Sequence, residues 1–133
     1  MASVVYPKWK EAIIQASANS SLGGTVKVIL IDVADYTYAA AHDFLDDVPA
    51  AARVATSGAL ASKTYVNGTF DAADITITGV SGDVSEALIG FIDTGVEATS
   101  RLVWYMDSGT GLPFTPNSGN LDIAWNASGI FSI

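Results

Sequence analysis

The sequence predicts a mainly β fold: an antiparallel β-sandwich with one short N-terminal α-helix, in a single domain spanning residues 1–133. Three observations lead there. Short runs rich in Val, Ile, Thr and aromatic residues recur along the chain, clusters of Gly, Asn, Ser and Pro separate them, and helical spacing is confined to the beginning. A chain of 133 residues is long enough to bury a core of its own.

The helix is expected over residues 6–18. Tyr6, Trp9, Ile13 and Ile14 fall at helical spacing, Lys8, Lys10, Glu11 and Gln15 lie on other faces, and Pro7 suits a first turn, where its missing N–H costs nothing. Asn19 to Gly24 stops it. The run 25–32, Thr-Val-Lys-Val-Ile-Leu-Ile-Asp, is β-branched and almost continuously apolar, which predicts a strand buried on both faces. Residues 34–53 are acidic and Ala-rich, and fit either an ordered loop or a helical turn over 39–47 ended by Pro49.

Residues 60–66 alternate, and Asn67-Gly68 after them is a hairpin signal, because both residues tolerate positive φ. Residues 74–79 alternate strictly, with Ile75 and Ile77 expected inward and Thr76 and Thr78 outward. Further strands are expected over 86–93, 102–107, 120–125 and 130–133. Gly129 should turn the chain so that 130–133 re-enters a sheet, with Phe131 and Ile133 on its apolar face. By strand phase, Trp104 and Trp125 belong to the core, while Tyr105 should be exposed or interfacial.

Composition narrows the function classes. Half the residues are hydrophobic and only 15% are charged, against about 25% in an average domain. Such a surface suits contact with copies of itself or with partners. The net charge of −8 and six scattered Lys and Arg oppose a nucleic-acid role, which needs clustered cations on phosphates. No apolar run is long enough to span a bilayer, so no membrane role is expected. Without cysteine there is no disulfide, thiolate metal site or Cys nucleophile. Residues 1–10 lack a charged segment followed by an apolar core, so the expected site of synthesis is a cytoplasm.

The inventory for chemistry is thin. His42 is the one histidine, next to Asp43, and no Gly-x-Ser-x-Gly elbow accompanies it. Asp43, Asp46 and Asp47, and separately Asp71 and Asp74, are close enough to be weighed as acid/base pairs or calcium ligands. They lack EF-hand spacing and read more simply as turn and cap residues. Trp9, Trp104, Tyr105 and Trp125 are candidates for a sugar-stacking platform. Asn19, Asn67 and Asn126 open Asn-x-Ser/Thr triplets and read as turn residues. No catalytic, cofactor or metal residue is therefore assigned.

An ordered series of segments resembles a family of small virion structural proteins of tailed bacteriophages. The series comprises Tyr6-Pro-Lys-Trp-Lys-Glu-Ala12, Thr25-Val-Lys-Val-Ile-Leu30 and His42-Asp-Phe-Leu-Asp-Asp-Val48. It continues with Phe70-Asp-Ala-Ala-Asp-Ile-Thr76 and ends with Ile123-Ala-Trp-Asn-Ala-Ser-Gly-Ile-Phe-Ser-Ile133. The Ala-rich stretch 49–57 departs from the Gly/Thr-rich approach common in that family. The resemblance implies a non-enzymatic virion protein without cofactor, first of all a capsid decoration (cement) protein that stabilises the head shell. Its partners would be the major capsid protein or other virion proteins, and it would be a homo-oligomer. A tail, neck or head-fibre component is the alternative within the particle. A carbohydrate- or host-surface-binding β-sandwich is the alternative outside that role.

Overall fold

The apolar run after Gly24 becomes the middle of the main sheet in the computed structural model, which describes residues 4–107 and 112–133. In chain order the elements are β1 (Val4–Val5), α1 (Pro7–Ile14), β2 (Val26–Ile31), β3 (Arg53–Thr56), β4 (Thr69–Phe70), β5 (Ile75–Ile77), β6 (Ala87–Ile92), β7 (Leu102–Met106), β8 (Leu121–Ile123) and β9 (Phe131–Ser132). Five strands form one sheet in the order β1-β7-β6-β2-β3, and two separate ribbons pair β4 with β9 and β5 with β8. Every pairing is antiparallel.

Directly opposed residues share a face. Val28, Gly90, Trp104 and Val5 therefore line one side of the five-stranded sheet, and Ile29, Ile89, Tyr105 and Val4 line the other. The ribbons cover the Trp104 side. Phe70 of β4 and Phe131 of β9 stack on the indole with ring centroids 5.8 and 5.5 Å away, and Trp125, just past β8, meets it edge-on at 6.2 Å. The Tyr105 side is covered by the segment 32–52, whose Tyr36 and Tyr38 rings lie 6.2 and 5.6 Å from Tyr105.

With both faces covered, β2 and β6 have almost no side that meets water, which is why their sequences do not alternate. All six residues of β6 are buried. Each large apolar side chain so buried contributes about 1.5–3 kcal/mol. The exception in β2 is half-buried Lys27, whose ammonium meets the Asp93 carboxylate at 2.7 Å.

Several expectations are corrected. The helix is shorter than 6–18, because a Schellman motif closes it. Ala16 takes φ 53°, its N–H donates to the Ile13 carbonyl, and the Ser17 N–H donates to Ala12. Ile14, counted on the apolar face, is 85% exposed. Residues 60–66 do not form a strand. Asn67 and Gly68 do take positive φ, but only one bridge, Thr64 to Asp71, joins their flanks, since β4 pairs with β9 instead.

Tyr105 is buried, because the 32–52 segment lies over the face assigned to solvent. Trp125 is only half-buried. At the end of the chain Ile130 is buried, Phe131 is half-buried and Ile133 is 62% exposed, so Phe131 and Ile133 do not form one buried face. The strands β1 and β3 are not expected from the sequence pattern.

Candidate functional site

An apolar cleft of about 510 Å³ opens between α1, the loop that follows it and the β4–β9 ribbon. One wall is Trp9, Ile13 and Ala16 from successive turns of α1 and its cap. Ser20 to Gly23 close one end, and Tyr65, Phe70, Phe131 and Ile133 form the opposite wall.

Specific bonds hold these walls apart. The Trp9 indole N–H donates to the Ser20 carbonyl at 2.9 Å, fixing the loop against the helix. The Leu22 carbonyl accepts from the Lys63 ammonium at 2.9 Å and from the Tyr65 hydroxyl at 3.2 Å, while Lys63 also donates to the Gly24 carbonyl. On the ribbon, the Thr69 and Ser132 hydroxyls bond at 2.7 Å, and the Ile133 N–H donates to the Gly68 carbonyl at 3.0 Å. Gly68 has φ 75°, and a Cβ there would meet the Ile133 carbonyl oxygen at 2.9 Å, so glycine is required.

The chemistry of the cleft is that of a binding surface. No side chain in its lining is a carboxylate, imidazole or ammonium, and its polar side-chain groups are the Ser20, Ser21, Thr69 and Tyr65 hydroxyls and the Trp9 indole N–H. Its size and apolar walls are those of sites that take in apolar groups by desolvation. Ile133 and Tyr65 on its walls are 62% and 49% exposed, and Ile14 and Val66, adjacent in sequence to cleft residues, are 85% and 69% exposed. Four of the six large hydrophobic residues exposed among the described residues thus belong to this cleft or flank it in sequence.

The titratable candidates lie elsewhere. His42 Nδ1 bonds to the Tyr36 hydroxyl at 2.8 Å, which bonds to the Tyr6 hydroxyl at 2.7 Å, so its partner is a phenol chain and not a serine. Burial first, and then its neighbour Tyr36, push the Tyr6 hydroxyl far above a solvated phenol. Burial likewise pushes Tyr36 up to about 12. Asp43 and Asp47 are brought together. Burial and its partner raise Asp43; burial opposes the charge on Asp47 too, but bonds from the Asp43 and Phe44 N–H groups outweigh it and hold Asp47 low. Asp46 is exposed.

Asp71 and Asp74 are not a pair acting on a common ligand. Asp71 accepts from the Ala72 N–H, which is local turn chemistry, whereas Asp74 accepts from the Trp125 N–H fifty-one residues away and ties two distant segments together instead of capping its own. The triplet asparagines behave like Asp71: Asn19 takes φ 57°, Asn67 φ 54°, and Asn126 accepts from the Ser128 N–H.

Sequence reasoning missed two features. The carboxylate oxygens of Asp32, Asp35 and Asp83 lie within 4.8 Å of one another, although Asp83 is distant in the chain from the other two. These hard oxygen donors suit Ca²⁺ or Mg²⁺, but they offer three ligands where Ca²⁺ takes six to eight. The apolar cleft itself was also missed. Its only signal was Ile133 and Val66, apolar residues that their own segments do not bury.

The aromatic residues weighed as a sugar platform do not share one open face, since Trp104 and Trp125 meet edge-on and Tyr105 lies on the opposite side of the sheet. Trp9 and Trp104 are fully buried, and Trp125 is half-buried with its N–H bonded to the Ala73 carbonyl at 3.1 Å. The Trp104 N–H is buried without a hydrogen-bond partner. No family model and no curated protein matches the chain.

Proposed function

We propose that this protein is a non-enzymatic virion structural protein of a tailed bacteriophage, acting as a capsid decoration protein in many copies on the head shell. The resemblance of its ordered segments motivates the assignment. The observation that carries it is the apolar cleft between α1 and the β4–β9 ribbon, with exposed Ile133 and Tyr65 on its walls and no titratable side chain but Tyr65 in its lining. An exposed apolar surface of this kind marks a site of association. On a symmetric shell, modest contacts repeated around a cluster give an avidity that one contact lacks.

The test is recruitment to purified heads. Saturable co-sedimentation with shells, and raised resistance of the shells to heat, are the expected results. Failure to bind heads, with density for the protein found at the tail or neck by electron microscopy, would move it to the alternative place in the particle. The sugar-binding alternative is disfavoured by the burial of Trp9 and Trp104.

A further inference from the structure

The cleft has a complementary surface on the same chain. In a protein of net charge −8, it is flanked by two lysines and lined by no acidic side chain. Lys63 holds the Leu22 and Gly24 carbonyls at one end. Lys10 lies beside Phe131 and Ser132 in an adjoining hollow of about 340 Å³. Neither lysine meets a carboxylate among the described ion pairs. Leu22 to Gly24 lead directly into β2, so this basic, apolar surface borders the start of that strand.

The other end of β2 has the opposite character. Asp32 follows its last residue, and Ile31 pairs with Ala87 at the start of β6. Just before β6, Asp83 and Val84 project from a turn anchored by the Ser85–Phe114 bridge. Val84 is 44% exposed, and Asp83 gathers with Asp32 and Asp35. One end of the sheet thus offers an apolar cleft with cations, and the other an exposed apolar side chain with carboxylates.

We propose that the cleft receives the Asp83–Val84 turn of a second copy, giving a head-to-tail contact between chains. Val84 enters the cleft against Ile133 and Tyr65, and the Asp83 and Asp35 carboxylates face Lys10 and Lys63. Such a contact uses two different surfaces, so it propagates into a closed ring or a row and not a two-fold dimer. The inference rests on the many-copy reading above and names the partner surface.

The experiment is sedimentation velocity on wild type, Val84→Asp and Ile133→Asp, the two changes lying at exposed positions on opposite surfaces. Wild type should self-associate, each variant should associate at least tenfold more weakly, and both should melt with wild-type cooperativity. An equimolar mixture of the two variants should form a dimer and nothing larger, because one intact cleft and one intact Val84 turn remain. Lys10→Glu should weaken assembly, and Asp83→Lys added to it should restore it. Raising salt from about 0.05 to about 0.5 M should also weaken assembly, as screening shortens the reach of these charges.

Normal assembly of either Val84→Asp or Ile133→Asp would overturn the head-to-tail contact. So would a monomeric wild type at the highest concentration the protein tolerates. If heads still recruit that monomer, the cleft binds the shell, and the decoration role survives the loss of this inference.

Discussion

The indole of Trp104 lies directly over Gly90, its register partner on the neighbouring strand. A Cβ at position 90 would sit against the six-membered ring, well inside the 3.0 Å that real Cβ atoms respect. Trp104 is fixed in turn by Phe70, Phe131 and Trp125, so it has no room to withdraw. Gly90→Ala should therefore cost about 1–3 kcal/mol, as overpacking does. Gly58→Ala, with nothing within 4 Å of the new methyl, should be near-neutral. Urea denaturation of the two variants checks the contrast.

The tyrosine cluster on the other face predicts alkaline sensitivity. Folded Tyr6 and Tyr36 hold their protons above the ordinary value of 10.0, mainly through burial. A raised pKa stabilises the fold fully below pH 10.0, where both states are protonated. That stability is lost as pH rises, because only the unfolded phenols ionise at first. Tyrosinate absorbance should accordingly rise together with loss of near-UV circular dichroism, above pH 10. Tyr36→Phe, which breaks the bonds to Tyr6 and His42, should lower stability at neutral pH by about 1–2 kcal/mol.

At acid pH the sign reverses. The Lys27 ammonium and the Gly95 N–H hold Asp93 below its ordinary 3.8. A depressed carboxylate contributes stability above that value and loses it as pH falls through the folded value. Asp47 acts in the same direction, and Asp43, whose folded value is raised, partly offsets it. Lys27→Met should lower stability at pH 7 by up to about 1 kcal/mol and flatten its decline on acidification. Thermal melts from pH 7 downward measure both effects.

The last strand should divide sharply by residue. Phe131 touches Trp9, Phe70 and Trp104, so Phe131→Ala should cost about 2–3 kcal/mol, below the 3–5 of a fully buried Phe. Ile133, being 62% exposed, should tolerate alanine within about 0.5 kcal/mol. Paired urea titrations of the two variants decide this, and equal costs would mean that Ile133 packs against the fold.

Local pattern was enough for much of this fold. The nearly continuous apolarity of 26–31 marked a strand covered on both faces, 87–92 lay within an expected strand, and Ile77 against Thr76 and Thr78 marked a half-buried one. Asn67, Gly68 and Gly129 marked places where φ must be positive, since that demand falls on the residue itself. The turn roles of Asp71 and Asn126 were legible for the same reason. These properties depend on alternation, backbone freedom and side-chain reach within a few residues.

Tertiary structure decided what depended on distant neighbours. Strand phase places Tyr105 opposite Trp104, but burial of that face depends on Tyr36 and Tyr38, some seventy residues earlier in the chain. Val4–Val5 and Arg53–Thr56 are too short to announce themselves and are strands because β7 and β2 offer them free edges. The cleft arises where α1, the loop after it and two strands from distant parts of the chain meet without filling the space between them. Each segment's own pattern specifies which of its faces avoids water. The gap between assembled faces belongs to none of them, so only the packed structure reveals it.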